Sequence, residues 1–204
     1  MMKKLILLFL GLYSIQSMYS QQIYLQTGKN FTQYDYKSDT NSTPSLQAGS
    51  GDFYEIGYAM NLNNEKLNYA IGFSLNEYNA IGGNQASSYS WNTQYMGIQN
   101  TFSLSFVKVN GFEGSVSGGL GIATLIYGKQ NINGQYLDLS SQKEFSGLLL
   151  SPKLGLQANY NVDNDIYLSL GYAYSKSFNV TNNTPEKLSF NTNQIQFGVH
   201  FLFK

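Results

Sequence analysis

The chain has no cysteine. That excludes disulfide bonds, and it excludes the lipid anchor that a lipoprotein carries on a cysteine at its cleavage site. Arginine is missing too, so all 12 basic residues are lysine, set against 12 acidic ones. A nucleic-acid partner would require a basic surface stripe, and this sequence offers none. Charged residues make up only 12% of the chain, a low share for a protein whose sheets present one face to water. Histidine occurs once, at His200, so any hydrolase chemistry would need that residue to orient a serine from elsewhere in the fold. After residue 20 no stretch carries the period of an amphipathic helix.

The N-terminal segment explains one of these features. Lys3 and Lys4 precede an apolar run, Leu5–Leu12, and small Ser20 stands before Gln21. This is the layout of a cleavable signal peptide over residues 1–20. The run is too short for a permanent transmembrane helix, which needs about 20 residues. Cleavage would leave 184 residues, one domain over 21–204, with 10 lysines against 12 acids. An exported domain of this size without disulfides needs another source of stability, and a large closed sheet is one.

What fills the rest is alternation with period two. In Gln194–Phe203, residues Ile195, Phe197, Val199, Phe201 and Phe203 fall on one face, against Gln194, Gln196, Gly198 and His200 on the other. The same pattern runs through Tyr54–Leu62, Leu67–Leu75, Val116–Ile126, Leu148–Tyr160 and Ile166–Tyr174. Less regular runs at Gln22–Tyr36 and Ser90–Phe106 bring the total to eight strands, with a bulge or bend expected near Gly28. Long polar connections are expected over Lys37–Gly51, Asn79–Tyr89, Lys129–Lys143 and Asn179–Lys187. Short ones are expected over Asn61–Lys66, Val109–Gly111 and Asn161–Asp165, the second carrying the Asn110-Gly111 hairpin signal. Alternating long and short connections, with both termini on the short-turn side, is the plan of an eight-stranded antiparallel up-and-down transmembrane β-barrel.

The charges support lipid on the oily side. Glu55, Glu113 and Lys153 all lie in the polar register, and a lysine facing lipid at mid-membrane would cost about 2–4 kcal/mol. The polar face is otherwise small, with Gly57, Gly72, Gly119, Gly121, Gly155, Gly171 and Gly198 on it, which suits the narrow interior of eight strands. Tyr34, Tyr36, Tyr54, Tyr78, Trp91, Tyr95, Tyr127, Tyr174 and Phe178 lie near the loop ends, with Tyr160 and Phe203 near the turn ends. That placement predicts aromatic girdles at both membrane interfaces.

With its signal segment, eight alternating runs and aromatic-ended last strand (Gln196–Phe203), the chain resembles the outer membrane beta-barrel domain family of Gram-negative bacteria, often called porin-family proteins. Gly28–Tyr36, reading Gly-Lys-Asn-Phe-Thr-Gln-Tyr-Asp-Tyr, looks like first strands of that family; Lys204 after Phe203 departs from it. The resemblance spans the whole mature chain. It implies an outer-membrane location, contact with outer-membrane lipid, and recognition of the last strand by the barrel assembly machinery.

No catalytic, cofactor or metal site is assigned. His200 is expected to point into the lumen near the periplasmic end, away from the outer leaflet where lipid-modifying barrels of this shape act. Glu55, Glu113 and Lys153 are read as parts of a hydrogen-bonded polar core, with a Glu55–Lys153 ion pair as the specific expectation. Asp163 and Asp165 flank Asn164 in a short turn, and turn formation accounts for them better than calcium does. The expected function is a non-enzymatic, structural or surface-interaction role in the cell envelope. The alternatives are a lipid-modifying enzyme, a small pore, or a soluble lipocalin-like barrel with its oily face inward.

Overall fold

A computed structural model describes residues 21–37, 46–63, 66–84, 87–181 and 187–203. The signal segment 1–20, parts of four expected connections (38–45, 64–65, 85–86 and 182–186) and Lys204 lie outside the described residues. The elements are β1 (Gln21–Lys37), β2 (Leu46–Asn63), β3 (Leu67–Asn84), β4 (Ser87–Val109), β5 (Phe112–Ile132), β6 (Gln135–Asp138), β7 (Leu148–Asp163), β8 (Ile166–Asn179) and β9 (Lys187–Phe203). Eight long strands pair antiparallel in the order β4-β3-β2-β1-β9-β8-β7-β5, and β5 pairs back onto β4 to close a barrel. Strand β6 lies outside that cylinder, as a short partner of the upper end of β5.

Closure follows from the sequence. The first and last strands pair along their whole length, from Gln21↔Phe203 to Lys37↔Lys187. Asn110 and Gly111 take φ values of 45° and 84°, the left-handed pair that a two-residue hairpin requires. Asn133-Gly134, with φ values of 50° and 85°, makes a second such turn between β5 and β6. The sequence reading places that dipeptide inside a polar connection, although it carries the same hairpin signal.

Two expectations are corrected by the strands. Gly28 sits in unbroken register with both neighbours, so it forms no bulge. It is there because the backbones approach closely: a β-carbon at Gly28 would collide with the Ile195 carbonyl oxygen. The register shifts occur instead between Ala48 and Phe53, Asn61 and Asn63, Gln94 and Tyr95, and Ser105 and Val107, and in the short turn after Asn161. Described parts of the expected loop-end connections are also strand. Strand β3 runs to Asn84 and β4 starts at Ser87, so most of Asn79–Tyr89 belongs to the ladder. Past Ile81 this extension consists of small and polar residues, so no apolar alternation distinguishes its tip from loop.

The apolar and polar faces divide the barrel in two along its axis. At the turn end, Ile23, Ile56, Phe73, Phe102, Leu156, Leu170 and Phe197 stand exposed on the outer wall. Ser74, Gln99, Ser115, Ser169 and Gln196 are buried inside. A soluble lipocalin-like barrel would show the reverse, so that alternative does not fit this half. The outer apolar belt covers Ile166–Tyr174 on β8 and Ile195–Phe203 on β9. Each is nine residues long, matching the 9–11 tilted residues that cross hydrocarbon. Strand β9 continues beyond the belt to Lys187; at ~3.3 Å per residue its 17 residues extend roughly 55 Å along the strand.

Candidate functional site: the barrel interior

In the loop-end half the apolar register turns inward. Tyr34 on β1, Tyr78 on β3, Trp91 and Tyr95 on β4, Leu149 on β7, and Leu188 and Phe190 on β9 form one buried cluster. Phe190, fully buried, is its centre, with ring centroids 4.7 Å from Tyr78 and 4.9 Å from Tyr34. Tyr34 meets Trp91 edge-on at 5.3 Å, and Trp91 meets Phe145 edge-on at 5.1 Å, the arrangement that ring quadrupoles favour. Phe145 and Leu139 belong to the segment between β6 and β7, which folds down to close the mouth. Its backbone is fixed by Leu139 N–H donating to Gly128 O at 3.0 Å. The Tyr34 hydroxyl is satisfied within the cluster: it donates to Tyr78 O and lies 3.0 Å from Thr93 Oγ1.

This corrects the expected outer girdle. Tyr34, Tyr78, Trp91 and Tyr95 face the lumen, because each shares the parity of the inward residues on its own strand. Tyr54, Tyr127 and Tyr174 do stand exposed on the outer wall, as do Tyr160 and Phe203 at the turn end. Phe112 and Tyr160 pair there with ring centroids 4.7 Å apart.

Below the aromatic plug lies a layer of amides and hydroxyls. Gln194 Nε2 donates to Asn30 Oδ1 at 2.7 Å, Asn30 Nδ2 donates to Asn76 Oδ1 at 3.2 Å, and Asn76 Nδ2 donates to Ser74 Oγ at 3.2 Å. Thr32 and Thr192 share a hydrogen bond at 3.1 Å, and Ser151 and Ser177 one at 2.7 Å. Polar groups buried this way retain partners after leaving water. In this layer the interior narrows to a void of about 10 Å³ beside Phe53, Gln99 and Gln194, room for about one water.

The turn-end third opens into a polar cavity of about 260 Å³. Its lining includes Tyr24, Glu55, Lys108, Glu113, Lys153 and His200. A register row runs from His200 through Tyr24, Gly57 and Gly72 to Gln99. Tyr24 lies flat across the two glycines: a β-carbon at Gly57 would strike its ring, and one at Gly72 would meet its hydroxyl at 2.6 Å. The hydroxyl donates to Glu55 Oε1 at 2.7 Å, and the ring stacks on His200 at 5.5 Å.

No family model and no curated protein sequence matches the chain. Solved structures do. Neisserial surface protein A superposes with a TM-score of 0.55 at 15% identity, over 89% of this chain and 97% of that one. The chain has the fold of an outer-membrane β-barrel. More distant are the outer membrane enzyme PagL (TM-score 0.48, 11% identity, 87% of this chain and 97% of that one) and the outer membrane protein OprG from Pseudomonas aeruginosa (TM-score 0.45, 11% identity, 91% and 97%). These likenesses concern the outer-membrane barrel fold alone.

Within that fold the residues singled out by sequence are placed as follows. His200 does face the lumen at the turn end, buried, with Nε2 2.9 Å from Ser169 Oγ on the adjacent strand. Glu55, Glu113 and Lys153 all face the interior. Glu113 accepts a hydrogen bond from Ser105 Oγ. The expected Glu55–Lys153 ion pair is absent: Tyr24 occupies one carboxylate oxygen of Glu55, and Oε2 has no hydrogen-bond partner. Lys153 Nζ lies over the Phe53 ring instead, 5.9 Å from its centroid. Asp163 acts within its turn, accepting from Asn164 N–H at 2.7 Å, while the Asp165 carbonyl accepts from Leu202 N–H at 2.8 Å. Among the described residues no cluster of metal-ligating side chains occurs. The sequence reading missed the plug and the Tyr24–Glu55 contact; the inward parity of Tyr34, Tyr78 and Trp91 was the available signal for the first.

Proposed function

We propose that the chain is an integral outer-membrane barrel, exported by a signal peptide over residues 1–20, with a structural or surface-interaction role and neither catalysis nor conduction. One observation carries this reading: a continuous apolar register faces outward over a height that fits a bilayer, and beyond it aromatic rings fill the interior. The turn-end belt then contacts outer-membrane lipid. The loop-end half, packed with aromatic rings inside, stands above the membrane as a platform for the β5–β6 hairpin and the connecting segments. Strand β9, with Phe201 and Phe203 exposed at its end, is the segment the barrel assembly machinery would read. Against catalysis, His200 and Ser169 bond to each other inside the turn-end lumen, beneath the Tyr24 ring, with no carboxylate hydrogen-bonded to the imidazole among the described contacts.

The test is planar-bilayer recording on the purified barrel, paired with a heat-dependent gel shift. The expected result is a compact unboiled species without unitary currents. Steady single-channel currents in the unaltered protein would refute the closed-barrel reading, and a fully water-soluble unboiled species would refute the membrane reading. Changed lipid composition in cells carrying the wild type but not His200→Ala would refute the absence of catalysis.

A further inference from the structure

The outer wall is indented along β1. Thr27, a small side chain, stands between the rings of its two register partners, Phe197 on β9 and Tyr54 on β2. One row lower lie Leu25 and Ile56, with Phe73 beside them on β3. Together these residues line an apolar groove of about 400 Å³ on the outside of the barrel. Its walls are accessible: Tyr54, Ile56, Phe73 and Phe197 are each about half exposed.

The upper end of the groove meets charge. Lys29, two residues above Thr27 on the same face of β1, pairs with Asp52 on β2. Their side chains are 60% and 36% exposed, so both remain open to a ligand. Next to Asp52, the Glu77 carboxylate on β3 accepts from the Asp52 N–H at 3.3 Å and from Gln94 Nε2 at 2.9 Å. One ammonium and two carboxylates therefore share this patch. Lys29 is level with Ile195, the last outward apolar residue on β9 before Asn193. On the membrane placement proposed above, the groove lies in hydrocarbon and the charged patch at the headgroups.

The charges select among headgroups. A purely anionic one would meet two carboxylates and a single ammonium, which is net repulsion. A zwitterionic one finds both signs, its phosphate at Lys29 and its ammonium at the carboxylates. A primary ammonium carries three N–H donors for those carboxylates, whereas a quaternary ammonium carries none.

We propose that the groove along β1 binds one diacyl phospholipid with an ethanolamine headgroup. An acyl chain lies over Thr27, the phosphate meets Lys29, and the ammonium donates to Asp52 and Glu77. This rests on the membrane reading and adds a specific lipid site to it.

The experiment uses the purified, lipid-stripped barrel in dodecyl maltoside micelles, titrated with dioleoyl phosphatidylethanolamine, phosphatidylcholine and phosphatidylglycerol. Native mass spectrometry gives the association constant of the first bound lipid. A nitroxide midway along one acyl chain gives its location, through broadening of backbone amide signals. Phosphatidylethanolamine should bind about fivefold more tightly than either competitor, the weight of one charged headgroup contact. Broadening should centre on Thr27 and Tyr54 and spare Leu154, which stands exposed on the outer wall of β7. Thr27→Phe fills the groove and should abolish that localised broadening. Glu77→Lys should reverse the order, with phosphatidylglycerol bound best. Equal binding of the three lipids, broadening spread evenly round the belt, or an unchanged pattern in Thr27→Phe would overturn the site while leaving the membrane reading intact. A water-soluble unboiled species would overturn both. Should Thr27→Phe fail to give a heat-modifiable barrel, Glu77→Lys decides alone, and an unchanged lipid order counts against the site.

Discussion

The two halves of the barrel share their strands, their register and their period, yet they are inside out relative to each other. On β9, Ile195, Phe197 and Phe201 point outward at the turn end, while Leu188 and Phe190 point inward at the loop end. On β3 outward Phe73 is followed by inward Tyr78, although Ile81 beyond it still faces out. A strand sorts residues onto two faces but does not specify which face meets which solvent. With lipid outside, apolar side chains gain by leaving the narrow interior to small polar ones. With water outside, burial of apolar area drives the rings inward, as in any soluble core. On the proposed membrane placement, the level at which the phase reverses is a boundary of the bilayer.

The contrast can be broken from either side. Phe190→Ala removes the centre of the plug, and truncation of a fully buried phenylalanine costs about 3–5 kcal/mol. The chain has one tryptophan, Trp91, and it sits in the plug. Guanidinium unfolding in micelles followed by its fluorescence should show this loss, with emission already shifted to the red before unfolding. A change as small as that of a surface substitution would mean that the plug contributes little.

A matched pair of charges tests the reversal itself. Phe197→Lys places an ammonium on the lipid wall and should destabilise by about 2–4 kcal/mol. Gln33→Lys, exposed on the outer face of neighbouring β1 six residues above Thr27, the register partner of Phe197, should change stability by less than about 0.5 kcal/mol. Equal effects at the two positions would abolish the boundary drawn here. In the polar interior, Gly57→Ala forces the Tyr24 ring from its place, an overpacking cost of about 1–3 kcal/mol. An unchanged unfolding midpoint would show that the ring has room to move.

Much of this was legible beforehand, and the reasons differ by region. The turn-end belt could be read because lipid imposes a strict rule: Glu55, Glu113 and Lys153 had to share the polar register, and they do. The Asn110-Gly111 turn could be read because its backbone admits few residues. The upper end of β3 could not, since Gly82, Gly83 and Asn84 follow Ile81 among small and polar residues that look like loop. Tyr34 and Tyr78 were assigned to a girdle on nearness to strand ends, although their parity with Asn30 and Asn76 already placed them inside. The missing Glu55–Lys153 pair had no local signature. It depends on which of two partners, Tyr24 or Lys153, reaches the carboxylate across the lumen.

The β1–β9 seam has a consequence for how such a chain must be made. It joins residues such as Thr32 and Thr192, 160 positions apart, whose side chains touch only once the sheet has curled round on itself. Contacts of that sequence separation form slowly, since the entropy of closing the loop is lost before any pairing compensates it. Until then β1 and β9 are two bare edges, open to pairing with any neighbouring chain. The last step of folding is thus also the most vulnerable one, and the time spent before the ends meet sets how long the polypeptide needs protection from aggregation.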